Sequence, residues 1–225
     1  MIVAVDHTGG YANGVTIPWS FEADLKHFKK VTAGNACIMG RKTYDDIANK
    51  RREQKPNFRV LLPYRTSYVI SKSITEAQGA EVFPNVSAVL ETLPNNNQEI
   101  YLLGGSRMWI QYLNRAKQIW MTIVPGKYKT NKKFPIEFMK DYEIVEGHKE
   151  ETDQGELMFV RYVRKVTYYT IQVLDPTARK HLVEHFKERL IKTDSQGITF
   201  VEPQKGELKY VKRFGITKRQ GLAIE

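Results

Sequence analysis

A carboxylate on an apolar helical stripe is the first place in this sequence where side chains could do chemistry. In the stretch Ile17-Pro18-Trp19-Ser20-Phe21-Glu22-Ala23-Asp24-Leu25-Lys26-His27-Phe28, the residues Phe21, Leu25 and Phe28 recur at spacings of four and three. Asp24 lies three residues after Phe21 and four before Phe28, so a helix places it on the same face. An ionised carboxylate against apolar walls is costly unless something pairs with it. A cationic or donor-rich ligand is one such partner, which makes Asp24 a candidate site residue. An Asp rotated to the helix edge, serving the helix dipole, is the other reading that the pattern allows.

Two further segments are built to approach an anion. Ile38-Met39-Gly40-Arg41-Lys42-Thr43-Tyr44 runs from an apolar strand through a glycine and two cations into a helix start. Free N–H groups at such a start favour phosphate; a solvated basic turn is the plain alternative. Leu103-Gly104-Gly105-Ser106-Arg107-Met108-Trp109 also follows a strand and opens a helix. Glycines there let backbone come close to a ligand, although a glycine pair alone is common in turns. The glycine-rich Thr8–Gly14 stretch lies between strand and helix and reads as a lid, or as no more than a flexible turn. Cys37, the only cysteine, sits in the apolar run Ala36-Cys37-Ile38-Met39 and reads as a buried structural thiol rather than a nucleophile.

In order and spacing these segments resemble dihydrofolate reductases of the bacterial or bacteriophage-like branch, from about Met1 to Lys165. The resemblance rests on Ile2-Val3-Ala4-Val5, Ile17-Pro18-Trp19, Asp24, Met39-Gly40-Arg41-Lys42-Thr43, Leu62-Pro63-Tyr64-Arg65, Ile70-Ser71-Lys72, Gly104-Gly105, Thr122 and Phe134-Pro135. It implies hydride transfer from NADPH to C6 of dihydrofolate, with no metal. On that resemblance Asp24 binds the pterin amino group and ring N–H and helps bring a proton to N5 through water, with Trp19 and Thr122 completing the catalytic group. Thr122 would hydrogen-bond Asp24, where a locally satisfied strand threonine is the plain reading. Leu25 and Phe28 would pack on the pterin and aminobenzoyl rings, and Arg65 would pair with the α-carboxylate of the substrate. Ile2, Val3, Lys29 and Leu103 complete the implied substrate site. The implied cofactor site comprises Ala4, Ile17, Gly40, Arg41, Lys42, Thr43, Ser71, Lys72, Gly104, Gly105, Ser106, Arg107, Met108 and Trp109. In it Arg41 and Lys72 would read the 2′-phosphate, favouring NADP over NAD. Antifolates such as methotrexate or trimethoprim would be ligands. Four residues depart from the family pattern. Ser106 stands for a frequent third glycine, Trp109 for a tyrosine near the nicotinamide, and Asn131 for an acidic residue that supports loop closure. Tyr64 stands for a glycine; because it cannot cheaply take a positive φ, a different local turn is expected.

The elements that must hold these residues alternate between strands and helices, which predicts an α/β fold with a mainly parallel sheet and helices on both faces. Strands are read at Met1–Asp6, Ala36–Met39, Tyr68–Ser71, Glu81–Phe83, Ile100–Leu103 and Ile119–Val124, and an antiparallel pair at Tyr142–Lys149 and Glu156–Arg164. Helices are read from a Ser20 N-cap to about Thr32, over Lys42–Ala48, from an Asn85 cap through about Leu93, and over Ser106–Leu113. By the same resemblance, the Lys50–Arg59 stretch is longer than in compact bacterial members, which implies an enlarged surface loop. The reductase-like domain is expected to cover 1–165.

Residues 166–225 read as a small basic βαββ module. Tyr168–Leu174 is strand-like, and Asp175-Pro176 starts a helix whose face carries Leu182, Phe186 and Leu190. Ile198–Val201 and Leu208–Phe214 read as strands, with a frayed Gly221–Glu225 tail. Eleven cations against seven anions in this module leave a modest positive excess. So short a unit is marginal alone and is expected to self-associate, dock on the reductase domain or bind a protein partner, with nucleic acid the least favoured. The whole chain carries a net charge of +10 over 225 residues, which attracts anions without choosing among them. No apolar run approaches a membrane span, the apolar start reads as a first strand rather than a signal peptide, and a single cysteine fits a reducing cytoplasm, of a bacterium or an infected host cell. Two rival functions remain at this stage: a riboflavin-pathway reductase of the same fold, and a non-catalytic structural or nucleic-acid-binding protein that retains it.

Overall fold

The computed structural model describes residues 1–93, 98–186, 190–194, 197–201 and 216–223. The chain divides into two compact units, Met1–Tyr162 and Val163–Glu225.

The first unit alternates strands and helices: β1 (Ile2–Val5), β2 (Gly10–Ala12), α1 (Glu22–Thr32), β3 (Ala36–Gly40), α2 (Arg41–Gln54), β4 (Thr66–Ile70), β5 (Glu81–Phe83), α3 (Val86–Thr92), β6 (Ile100–Gly104), α4 (Ser106–Tyr112), β7 (Gln118–Ile123), β8 (Lys132–Lys133), a 3-10 turn at Ile136–Asp141, β9 (Tyr142–Thr152) and β10 (Gly155–Ile171). One sheet runs β5-β4-β3-β6 with its pairs parallel. In the other, β1 lies parallel to β7, placing Ala4 opposite Thr122, and β10 follows β7. A two-residue turn at 153–154 folds β9 back on β10. Successive strand residues point into two different cores, as a sheet covered on both faces requires. Val3, Ile38 and Leu102 join Trp109, Met121 and Phe134 in one core, while Ile2, Cys37, Met39 and Tyr101 join Phe58, Leu61 and Val69 in the other.

The expected α/β order is present, with local corrections. Helix α1 begins one residue later than a Ser20 cap implies. Phe21 occupies the cap position without a side-chain cap bond, because its ring is drawn into a cluster with Val124, Leu157 and Phe159. Helix α2 continues to Gln54, through much of what reads as a loop. Its polar second half is made of good helix formers, tied by a Lys50–Asp46 ion pair of 3.1 Å over buried Ala48. Asn85 caps α3, its side chain accepting from the Ala88 N–H at 2.9 Å. The short pair β2–β8 carries no hydrophobic alternation and left no signal in the sequence.

At Tyr64 the expectation of a different turn is overturned. Its φ is 60°, so the turn keeps the left-handed backbone with a tyrosine in it. The side chain is 89% exposed and meets no obstacle, and the Tyr64 carbonyl accepts the Gly34 N–H at 2.8 Å. Left-handed backbone costs a non-glycine residue about 1–2 kcal/mol, against about 0.5–1 kcal/mol of extra chain entropy for glycine. Tyr64→Gly is therefore expected to stabilise the protein by about 0.5–1 kcal/mol, seen as a Tm raised by about 2 °C. A lowered Tm would mean that the tyrosine ring contributes more than it costs.

In the second unit the end of β10 pairs antiparallel with β12 (Gly197–Val201) and with β13 (Ile216–Leu222), and β11 (Leu190–Asp194) pairs with β12. Helix α5 (Pro176–His185) is capped by Asp175, which accepts from Thr177 and Ala178, with Pro176 in the first turn. Its face packs Leu182 and Phe186 against Ile171, Ile198 and Phe200, the two phenylalanine rings stacked at 4.0 Å. Leu190 is not on that face, since the helix stops at His185 and Leu190 opens β11. Gly221 and Leu222 belong to β13 rather than to a frayed end. The strand read at Leu208–Phe214 lies outside the described residues. No described helix is long and apolar enough to cross a membrane.

Candidate functional site

Asp24 sits in the first turn of α1, half-buried. Burial raises its carboxyl above the usual range, and a hydrogen bond from the Thr122 hydroxyl offsets part of that rise. Thr122 is itself buried on β7, beside Ala4 of β1. A carboxylate serving only the helix dipole would stand in solvent at an ordinary pKa, so the geometry favours the pocket reading. The expected apolar stripe is split. Phe21 turns to the Val124–Phe159 cluster, Leu25 stays half exposed, and Phe28 packs against the core containing Ile2 and Cys37. Trp19 packs on Tyr128 with ring centroids 4.9 Å apart, and its buried ring N–H has no acceptor among the described residues.

Arg65 is held on three sides. Its Nε donates to the Pro63 carbonyl at 2.9 Å, one Nη donates to the Thr32 hydroxyl at 3.1 Å, and its guanidinium lies 5.3 Å from the centre of the Phe28 ring. Lys29 is exposed on α1, Ile2 and Val3 are buried on opposite faces of β1, and Leu103 is half-buried. Burial pushes the Cys37 thiol up to about 12, so it stays protonated and inert.

The two glycine segments meet. Gly40 precedes α2, and a Cβ on it would lie 3.5 Å from the Gly105 nitrogen; a Cβ on Gly105 would lie 3.9 Å from the Thr43 hydroxyl. The Gly104–Gly105 peptide is cis, and Gly104 has φ +126°. Neither α2 nor α4 has a side-chain N-cap, so the first N–H groups of the 14-residue α2 point out of a backbone-lined cradle suited to a diphosphate. Arg41 donates to the Ser73 hydroxyl at 2.8 Å, and Ser73 lies 3.2 Å from the Ser71 hydroxyl. With exposed Lys72 these groups form a cationic, hydroxyl-rich corner, and the donor set fits a phosphorylated nucleotide. Lys42 and Arg107 are exposed, Thr43 and Ser106 half-buried. Met108 and Trp109 follow on α4, and the Trp109 ring lies 3.1 Å from where a Cβ on Gly104 would stand. Both are buried in the core, where Trp109 packs edge-on against Tyr11 at 4.8 Å and donates to the Leu102 carbonyl at 3.4 Å.

The glycine-rich segment is more ordered than a free lid. Asp6, buried, accepts from the Thr8 N–H, the Thr8 hydroxyl, the Gly10 N–H and the Tyr128 N–H. Burial alone would raise its carboxyl, but these bonds hold it below the usual range. Part of the segment is β2, paired with β8. Asn131 accepts the Gly14 N–H through its side-chain oxygen at 2.9 Å. Ile17 and Val15 remain exposed at the tip. Thr32, Ser73, Asp6 and Tyr128 were not read from the sequence as site residues. Each acts on another residue across 30 or more positions, a separation that no local pattern reports.

The fold and the site together define an α/β protein with a half-buried carboxylate on α1 and two glycine segments that meet at the start of α2. A family model described as dihydrofolate reductase matches residues 1–164. Dihydrofolate reductase type 3 of Salmonella typhimurium is 31% identical over 136 residues, covering 60% of this chain and 76% of that protein. A bifunctional dihydrofolate reductase-thymidylate synthase of Paramecium tetraurelia is 33% identical over 117 residues, 52% of this chain, and the match spans only 23% of that longer protein. A solved dihydrofolate reductase from Enterococcus faecalis, complexed with NADP(H) and RAB-propyl, superposes with a TM-score of 0.62 at 22% identity, covering 72% of this chain and 94% of that one. The chain belongs to the dihydrofolate reductase family.

Proposed function

We propose that this chain reduces 7,8-dihydrofolate to tetrahydrofolate with NADPH, supporting one-carbon and thymidylate synthesis. The observation that carries the reading is Asp24: a half-buried carboxyl in the first turn of α1, raised by burial and meeting the Thr122 hydroxyl of β7. When bound, the nicotinamide of NADPH supplies the hydride that C6 of the pterin accepts. Asp24 takes hydrogen bonds from the pterin amino group and ring N–H, and its negative charge favours protonation at N5 through water. The unpaired ring N–H of Trp19 is available to hold that water. Thr122 fixes the carboxylate. Leu25 and Phe28, with Ile2 and Leu103, offer apolar walls, and Arg65 receives the α-carboxylate with the fork geometry that suits it. The Gly40–Thr43 and Gly104–Ser106 backbone binds the diphosphate, while Arg41, Ser71 and Lys72 hold the 2′-phosphate. The Thr8–Gly14 segment, anchored by Asp6 and Asn131, acts as a lid that excludes water. Trp109 and Met108 support this cradle from behind. Methotrexate or trimethoprim would take the place of the pterin on Asp24.

A riboflavin-pathway reductase would need neither Asp24 nor Arg65, and a non-catalytic protein would need no cradle. The test is direct: the protein is mixed with NADPH and dihydrofolate and the NADPH absorbance followed. A loss that requires dihydrofolate and is stopped by methotrexate is expected; no loss overturns the reading. Catalysis belongs to residues 1–165, so a chain ended at Lys165 is expected to keep the activity while losing whatever assembly or partner residues 166–225 provide. Soluble, folded but inactive protein of that length would show that the extension completes the active site. Since β10 runs on to Ile171, a second chain ended there leaves the strand whole and separates a frayed edge from a missing site residue.

A further inference from the structure

Two histidines with no part in the proposed reaction face each other where α1 meets the β9–β10 hairpin. His27 lies on α1, three residues after Asp24, and His148 lies on β9. Their ring centres are 6.1 Å apart. Both rings rest on Phe159 of β10, His27 at 4.4 Å and His148 stacked at 4.9 Å. Phe159 is buried, so it gives the two imidazoles a fixed floor. Trp120 of β7 stands 5.9 Å from His27 on another side. These rings line a shallow cavity bordered by His148 and Glu146, both exposed, so an ion can reach it from solvent.

The spacing decides what such a pair can hold. A zinc-like ion bonds one nitrogen of each imidazole at about 2.0–2.1 Å, which puts the ring centres roughly 5–6.5 Å apart. At 6.1 Å the two rings already stand within that range. Strand β9 adds carboxylates beside them. Glu146, His148 and Glu150 alternate along the strand and share one face, and Glu146 lines the same cavity. Two cations stand near the pair, Lys30 of α1 and Arg161 of β10, and the two glutamates offset them. Arg161 is held elsewhere, donating to the Gln118 side chain at 2.8 Å and lying over Trp120 at 5.1 Å. Its contact with Glu146 is long, at 3.6 Å, and partly exposed, so it costs little to exchange. Among the described residues no three His, Cys, Asp or Glu side chains are already grouped to hold an ion. The two imidazoles are therefore the preformed part, and a carboxylate that turns in, with water, completes the shell.

We propose that His27 and His148 form a binding site for one divalent transition-metal ion of the zinc type, with Glu146 as the third protein ligand. Imidazoles with one carboxylate suit zinc, nickel or copper and do not suit magnesium, which takes oxygen ligands in octahedral geometry. The ion pins α1, the helix that carries Asp24, to the β9–β10 hairpin. It takes no part in hydride transfer, so the inference is independent of the proposed reaction. The rival binder is the pair His181 and His185, four residues apart on α5.

The full chain, carrying no polyhistidine tag, is titrated with Zn2+ in a calorimeter at slightly alkaline pH and melted with Zn2+ or Mg2+ present. One equivalent of Zn2+ is expected to bind, and about a hundredfold excess over Kd to raise Tm by about 5 °C, with Mg2+ inert. His27→Phe and His148→Gln are each expected to weaken Zn2+ by at least about tenfold, the scale seen even for groups that only support a metal ligand, and to remove most of the rise in Tm. Glu146→Gln is expected to weaken it by about tenfold; unaltered binding there overturns the three-ligand assignment. The double variant His181→Gln, His185→Gln is expected to bind as the parent does. A parent that binds no Zn2+, binding that survives His148→Gln, or binding lost in the α5 double variant overturns the inference. His27 is half-buried, so if His27→Phe does not fold, His148→Gln on the exposed strand decides.

Discussion

Asp24→Asn is expected to lower turnover at neutral pH by about a hundredfold or more while leaving the fold at least as stable as before. The two effects share one cause. Asparagine can still accept from Thr122, so the local hydrogen bond survives, but it carries no charge with which to favour protonation at N5. The loss should shrink as the pH falls, because the substrate then arrives already protonated. The stability effect has the opposite sign. Burial raises the Asp24 carboxyl in the folded protein, so the folded state holds this proton to a higher pH than the unfolded state does. Stability therefore falls as pH rises through the interval between the two values and stays lowered above it. Asparagine removes that cost, so the Tm of Asp24→Asn should equal or exceed that of the parent at neutral pH, with the difference closing under acid. Such opposition between activity and stability is what a functional carboxylate in an apolar setting produces. Full turnover at neutral pH would remove Asp24 from the mechanism; a lowered Tm would show that its charge is compensated in the folded state.

What could be read from the sequence follows from range. Asp24 on its helix, the strand–glycine–helix passages at Gly40 and Gly104, and the Asn85 and Asp175 caps all depend on neighbours within a few residues, and the structure places them as expected. The Phe21 error is of the same kind: a helical period put Phe21 with Leu25, but tertiary burial against Val124 and Phe159 decided where the helix began. Extra length against compact relatives implies a loop from Lys50, but the residue types through Gln54 favour helix, and α2 runs on over them. The strands β2 and β8 are too short to alternate. Three hydrogen bonds that build the site, from Arg65 to Thr32, from Arg41 to Ser73 and from Gly14 to Asn131, span 33, 32 and 117 positions. Only the folded sheets bring them together.

Replacing Arg41 and Lys72 together with alanine is expected to weaken NADPH by about a hundredfold and NADH by no more than about twofold. Each charge-assisted contact to a phosphate contributes about 1.5–3 kcal/mol, or roughly tenfold to a hundredfold in affinity. The two losses should add incompletely, since both side chains serve one phosphate. Exposure argues for the lower end of the range: Lys72 is exposed, and the Arg41 side chain keeps 48% of its surface in solvent, where water and salt screen the charge. The structure adds a term that a count of charges omits. Arg41 is engaged with Ser73 at 2.8 Å and with Asp45 at 3.5 Å. The Ser73 bond holds it toward the Ser71–Lys72 turn, where the phosphate is to sit. The Asp45 contact is long and exposed and contributes little, but once Arg41 is removed the Asp45 carboxylate is left near the incoming phosphate without its counterion. Arg41→Ala alone should therefore cost more than Lys72→Ala alone, and the excess should fall as ionic strength rises. Binding of NADPH and NADH to the three variants, followed by the quenching of protein fluorescence at two salt concentrations, measures all of this. Equal losses for the two cofactors would mean that these cations do not read the 2′-phosphate, and the choice of NADPH would then have to lie elsewhere in the chain.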